Sequence, residues 1–350
     1  MIDIRSLEFD PEFTEGARSA IRTCLRLKPE ERFTIITDTQ TADIASSVLH
    51  QADAVGSPSS VFVLEDLARR PVQEMPRAIL QDLARSKVSL FAAQAQQGEL
   101  HARMQMFEVV SRHRIRHGHM VNISARIMRE GMRADYLAID RLSGAVLKKA
   151  RSTRLLRATT PAGTDLEVEF SPSLHWIKTS GIISEDEWGN LPGGEIFTCP
   201  QNVNGIFVVD GVVGDYLGAK YGDLKDSPLA ITIASSRIVD LACENRQLLE
   251  DFRTYTHADP NSDRVGEVGV GTNTAVRHLI GQILQDEKYP GLHIAFGHPA
   301  GERTSADWTS STHIDCVGRG FSIWMDGEMV MTEGVFADVY LSAAGPEGDS

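Results

Sequence analysis

ERFTIITDT (31–39), DIASSVLHQADAVG (43–56) and SVFVLED (60–66) decide the fold of the amino-terminal region. The first run is rich in β-branched residues and closes on Asp38 and Thr39, which reads as a buried strand. The second carries apolar residues at helical spacing and stops at Gly56. The third is apolar again and ends on acidic residues. Strand, helix and strand in this order make a βαβ unit, so a parallel sheet is expected. AILQDLARS (78–86), VSLFAA (88–93) and RMQMFEVVSR (103–112) continue the scheme as helix, strand and helix, and residues 13–28 supply an opening helix. The turn after the first strand, TQTAD, has none of the glycines of a dinucleotide fingerprint. A scaffold or oligomerisation role is the expectation for this region.

Residues 120–155 read as polar and helical, and beyond them the pattern changes to short strands split by glycine turns. GEIFTCP (194–200), NGIFVVDGVVG (204–214) and ITIASSRIVDL (231–241) are predicted strands. ENRQLLEDFRTYTH (244–257) and NTAVRHLIGQILQD (273–286) are predicted helices. FSIWMDGEMVMT (321–332) closes as a hairpin on Asp326-Gly327. The fold class expected is therefore α/β. A βαβ parallel-sheet domain over 1–155 precedes an α+β domain over 156–350.

Composition narrows the function. In 350 residues, 42% hydrophobic and 24% charged describe an ordinary globular chain with enough length for a sizeable core. A net charge of -13 argues against nucleic acid, whose phosphates attract Lys and Arg. Cys24, Cys199, Cys243 and Cys316 lack CxxC spacing, so reduced thiols are expected rather than a zinc ribbon or a disulfide framework. The opening MIDIRSLEFDPEF lacks the regions of a signal peptide, and no stretch is long and apolar enough to span a bilayer. A cytoplasmic protein without a membrane partner is expected.

Chemistry concentrates in the second half. Glu195 in LPGGEIFTCP, Glu267 in RVGEVGVGTN, His293 in GLHIAFGHP, and His313 with Asp315 in STHIDC all lie on or beside predicted apolar strands. A carboxylate buried there is costly unless it is paired or holds a cation. Carboxylates and imidazoles together suit zinc, manganese, cobalt or iron. In a strand, residues two apart share a face, so His313 and Asp315 would project together. The glycines around Glu267 permit close backbone approach, although a tight turn with Thr272 or Asn273 as a helix cap explains them equally.

Other candidates are weaker. In SRHRIRHGHM, His113 and His117 would share a helix face, but no HExxH glutamate is present and three arginines flank them. That run reads as a solvated basic face. His175 reads as structural and His257 as an exposed loop residue, while His298 could line the same pocket as His293. There is no GxSxG elbow, and Ser311 lacks a placed base.

In their order and settings these residues resemble the aminopeptidase T family of metallo-aminopeptidases. The matching elements are Gly194-Glu195 through Pro200, Gly266-Glu267 with Gly269 and Gly271, His293-Ile294-Ala295 with Gly297, and His313 with Asp315. PAGTDL (161–166) and the Asp326-Gly327 hairpin add to the likeness. The resemblance implies two divalent metals held by Glu195, Glu267, His293, His313 and Asp315, with Glu267 bridging, and a homodimer. It implies hydrolysis near the free amine of a small peptide or amino-acid amide. One departure is clear: the family has a tyrosine shortly beyond the histidine of its HIA-G segment, and here that place reads His298-Pro299-Ala300-Gly301. His298 or Arg303 would then have to assist the developing oxyanion. A related branch, the dihydroxypyridine ring-cleaving dioxygenases, holds one Fe(II) by two histidines and an aspartate. The matching set would be His293, His313 and Asp315, and that set needs neither Glu195 nor Glu267.

Overall fold

A computed structural model of the chain describes residues 2–345. It divides into two compact units. One runs to Leu137 and takes in Gly181–Gly193; the other takes Ala138–Ser180 and everything described from Gly194 on. A single break near residue 155 does not capture this division, because a later segment returns to the first unit. Gly189–Asn190 pairs with Arg116–Val121, which brings Gly181–Gly193 back.

The first unit has the expected parallel sheet. Strands Ser59–Val63, Phe33–Thr37, Val88–Ala93, Arg116–Val121 and Gly189–Asn190 lie side by side in that order, every pairing parallel. Ala42–Val55 is the crossover helix between the first two strands in sequence, and Gly56 ends it with φ 88°. Asp38 explains the acidic strand end. Its Oδ1 accepts from the N–H groups of Gln40 and Thr41 at 3.0 and 2.9 Å, ordering the entry to that helix. Its other oxygen is 3.2 Å from Arg70 Nη1, and Arg70 also pairs with Glu99, Nη2 to Oε2 at 2.7 Å. All three side chains are buried. Removing the cation strands two buried carboxylates. Arg70→Ala should therefore destabilise the protein by about 3–5 kcal/mol, the usual penalty for breaking a buried pair. Urea denaturation measures this, and a loss below about 1 kcal/mol would show the network to be an ordinary surface ion pair.

One expectation for this unit is corrected. His113 and His117 do not share a helix: the helix Leu100–His113 ends where Arg114 turns left-handed at φ 51°, and His117 and His119 lie on the strand Arg116–Val121. Both are buried. His117 Nδ1 is 2.8 Å from Ser89 Oγ, and His119 stacks on Phe91 with ring centroids 4.9 Å apart. Burial lowers both imidazole pKa values, to about 3 for His117. Ser111–Arg114 is exposed, as a solvated basic face would be, whereas His117 and His119 are neutral core.

In the second unit the sheets are antiparallel. An eight-stranded sheet runs, in order, through Arg237–Ala242, Leu229–Ala234, Asn202–Val209, Asp165–Glu169, Leu155–Thr159, Ser322–Met325, Glu328–Thr332 and Val335–Phe336. A six-stranded sheet follows the order Val212–Val213, His313–Val317, Gly291–Gly297, Val265–Gly271, Glu195–Thr198 and Ile177–Thr179. The region thus has the α+β character expected of it. Helices Tyr136–Ser152 and Arg246–Tyr255 contribute Leu142, Val146, Leu248 and Phe252 to one core that also holds Val268, Ile294 and Cys316.

The helix expected over 273–286 shrinks to Ile283–Asp286. Asp286 accounts for the difference. Its carboxylate accepts from the N–H groups of Ile280, Gly281 and Gln282 at 2.8–3.0 Å, capturing donors a helix would use. The segment becomes a loop that carries the chain back onto the sheet. No helix among the described residues is long and apolar enough to cross a membrane.

Candidate metal centre

The six-stranded sheet sorts its side chains by alternation. Directly opposed residues share a face, and so do residues two apart along a strand. Gly271 lies opposite Glu195, Gly269 opposite His293, Ala295 opposite both Glu267 and Asp315, and Gly297 opposite His313. Glu195, Glu267, His293, His313 and Asp315 therefore all project from one face. Ile196, Val268, Val270, Ile294, Phe296, Ile314 and Cys316 point the other way, into the core. Cys316, next to Asp315 in sequence, is thus on the far side, and burial pushes its thiol pKa up. The residues between the five charged ones are glycine or alanine, which leaves room above the strands.

Gly269 shows how tight that room is. A Cβ there would lie 2.1 Å from His293 Nε2, so the imidazole lies directly over the glycine. Across it stand two carboxylates. His293 Nε2 is 3.5 Å from Glu195 Oε2 and 3.4 Å from Glu267 Oε1. Ligand atoms of Glu195, Glu267 and His293 all lie within 4.8 Å of one another. His313 and Asp315 form a neighbouring pair, Nε2 to Oδ1 at 3.4 Å. His313 Nδ1 donates its N–H to the carbonyl of His298 at 2.9 Å, which turns Nε2 towards Asp315. His298 itself turns Nδ1 to the N–H of Ala300 at 3.1 Å. Arg303 lies over Phe197, 5.1 Å from its ring centroid.

The donor set fits a divalent cation on one observation above others. Glu195 Oε2, His293 Nε2 and Asp315 Oδ1 are buried and make no hydrogen bond. Buried polar atoms are nearly always hydrogen-bonded, and three on one sheet face that have only charged neighbours at 3.4–3.5 Å fit a cation between them. The electrostatics agree. Burial opposes charge on His293, yet Glu267, Glu195 and Asp315 outweigh it and raise its imidazole pKa, and Asp315 with Glu267 raises that of the more exposed His313. The same face that draws a proton to these rings would draw a metal in its place.

Three partners were not legible as site residues. Lys288 is wholly buried, with Nζ 2.5 Å from Glu195 Oε1 and a second contact to Glu287. Burial pushes Glu287 up to about 8, against the pull of Lys288 and with that of Glu195 and Asp315. Thr179 Oγ1 donates to the same Glu195 oxygen at 2.8 Å. The one sequence signal was the charged triplet Asp286-Glu287-Lys288 just before a buried strand. The helix expected over 273–286 ends at the first residue of that triplet and leaves Glu287 and Lys288 unassigned.

Buried Glu195, Glu267, His293 and Asp315 beside the more exposed His313, on a glycine-spaced antiparallel sheet, make a candidate metal centre. The comparisons place it more narrowly. The profile of the thermophilic metalloprotease family (M29) matches residues 143–319, and the chain belongs to that family. Membership makes it a metal-dependent hydrolase of the protease class. Among solved structures it resembles wild-type AmpT from Thermus thermophilus at 16% identity and a TM-score of 0.68, covering 93% of this chain and 99% of that one. It also resembles 2,5-dihydroxypyridine dioxygenase from Pseudomonas putida KT2440 at 14% identity and a TM-score of 0.68, covering 93% and 97%. At such identities these two likenesses establish the fold alone. No curated protein matches the chain.

Proposed function

We propose that the chain is a two-metal aminopeptidase that hydrolyses the amide bond beside a free amine in a small peptide or an amino-acid amide. The observation that carries this reading is the grouping of both glutamates, Glu195 and Glu267, with His293. A site of two histidines and one aspartate needs neither glutamate, so the grouping favours hydrolysis over Fe(II) ring cleavage.

In this reading Glu195, Glu267, His293, His313 and Asp315 hold zinc, cobalt or manganese, with Glu267 shared between the two positions. Divalent ions so held lower the pKa of a bound water and polarise the scissile carbonyl. The protein's own groups do the rest. The His298 carbonyl fixes the tautomer of His313. With its Nδ1 accepting from Ala300, the His298 ring keeps its proton on Nε2 and can donate it to the oxyanion in place of the family's tyrosine. A homodimer belongs to the proposal through the resemblance, and sedimentation tests it separately.

Metal removal is the direct test. Dialysis against a chelator should abolish hydrolysis of amino-acid amides, and two equivalents of zinc, cobalt or manganese should restore it. Less than about one equivalent bound after careful reconstitution, with no amide hydrolysis, would sink the proposal. Oxygen uptake with a dihydroxylated ring and one bound iron would replace it with the dioxygenase.

A further inference from the structure

Full burial is rare for lysine, because its ammonium group loses its hydration. Lys288 is held inside by close approach of the main chain. A Cβ on Gly271 would lie 2.0 Å from the Tyr289 carbonyl oxygen, and Gly271 bridges to Pro290 in parallel. Only glycine lets the 288–290 segment press onto the sheet here. That segment delivers Nζ to Glu195 Oε1, where Thr179 Oγ1 also arrives. The two oxygens of Glu195 are thus unequal. Oε1 takes two donors from the protein, while buried Oε2 takes none and faces His293.

We propose that Lys288, supported by Thr179, is a positioning residue that restricts Glu195 to a single ligand oxygen, Oε2. This inference rests on the metal reading above and deepens it. A carboxylate with both oxygens free can chelate a metal bidentately and fill an extra coordination position. One clamped at Oε1 by an ammonium and a hydroxyl cannot, and the spared position stays available to water or to the substrate amine. Lys288 acts through Glu195 and touches no reacting atom. Its charge also offsets Glu195 and Glu287, which a purely structural lysine would do as well. The coordination number separates the two roles.

The test uses the full-length protein loaded with Co(II), whose visible absorption reports coordination geometry, as wild type, Lys288→Met, Lys288→Met with Glu287→Gln, and Thr179→Val. The double variant keeps one fewer stranded carboxylate than Lys288→Met and is the form expected to fold. The expected result is a loss of intensity and a shift of the Co(II) bands in both lysine variants, with a fall in kcat larger than any change in KM. Thr179→Val should give the same change more weakly. Folded lysine variants with the wild-type Co(II) spectrum and kcat would overturn the proposal. If neither lysine variant folds, an unchanged spectrum in Thr179→Val overturns it. Wild-type protein that binds no metal fails at the earlier step and refutes the metal reading itself.

Discussion

Glu267→Gln should lower the affinity for divalent metal by more than about 100-fold, because even the outer partners of metal ligands are worth about 10–100-fold when removed. The side chain stands at the junction of the two ligand groups. On one side its Oε1 is 3.4 Å from His293 Nε2, in the cluster with Glu195. On the other, Ala295 lies between Glu267 and Asp315 in the cross-strand row. A methyl there leaves the gap open, and Glu267 is among the charges that raise the His313 pKa. Glutamine keeps the shape and loses the charge, so far-UV circular dichroism and the elution volume should stay those of wild type. Amide hydrolysis should fall with the metal content, measured by elemental analysis after dialysis. A variant that keeps full metal and full activity would refute a bridging Glu267 and leave only His293, His313 and Asp315 as the working set.

The charged residues of this site were legible for a physical reason. A Glu, His or Asp in an apolar strand beside glycine contradicts its surroundings, and the contradiction marks each position without any contact being known. Alternation then carried His313 and Asp315 to the same side, as the sheet confirms. Spatial convergence of the distant residues was not legible, since it depends on the strand order of the six-stranded sheet. Lys288 was hidden for a different reason. GQILQDEKYPG has helical spacing and a charged end, and nothing local says that Asp286 will take three main-chain donors and turn the segment into a loop. His117 and His119 were misread because arginines flank them. Alternation sends Arg116 towards Glu31, Nη2 to Oε2 at 2.5 Å, and leaves the imidazoles among aromatic rings. The return of Gly181–Gly193 to the first unit is a long-range pairing of a two-residue strand, which has no periodicity to detect.

Gly269→Ala, a single methyl, should remove the metal site while leaving the fold standing. The added Cβ would lie 2.1, 2.3 and 2.9 Å from Nε2, Cε1 and Cδ2 of His293, well inside contact distance. The strands cannot separate, because Gly269 is paired to Phe197 on one side and to His293 on the other. The imidazole must therefore rotate, and its Nε2 leaves the position facing Glu195 and Glu267. Overpacking of this kind destabilises a protein by about 1–3 kcal/mol, within what a chain of this size tolerates. Metal binding has no such margin, since a ligand atom displaced by more than an ångström no longer coordinates. The expected pattern is a modest fall in melting temperature with near-complete loss of bound metal and of amide hydrolysis. A double-mutant cycle separates the steric term from any other. Adding His293→Ala to Gly269→Ala should recover the lost stability, because the methyl then has space, but should recover neither metal nor activity. Wild-type metal content and activity in Gly269→Ala would mean that the His293 ring does not need to lie over the glycine, and the geometry of the centre would have to be redrawn.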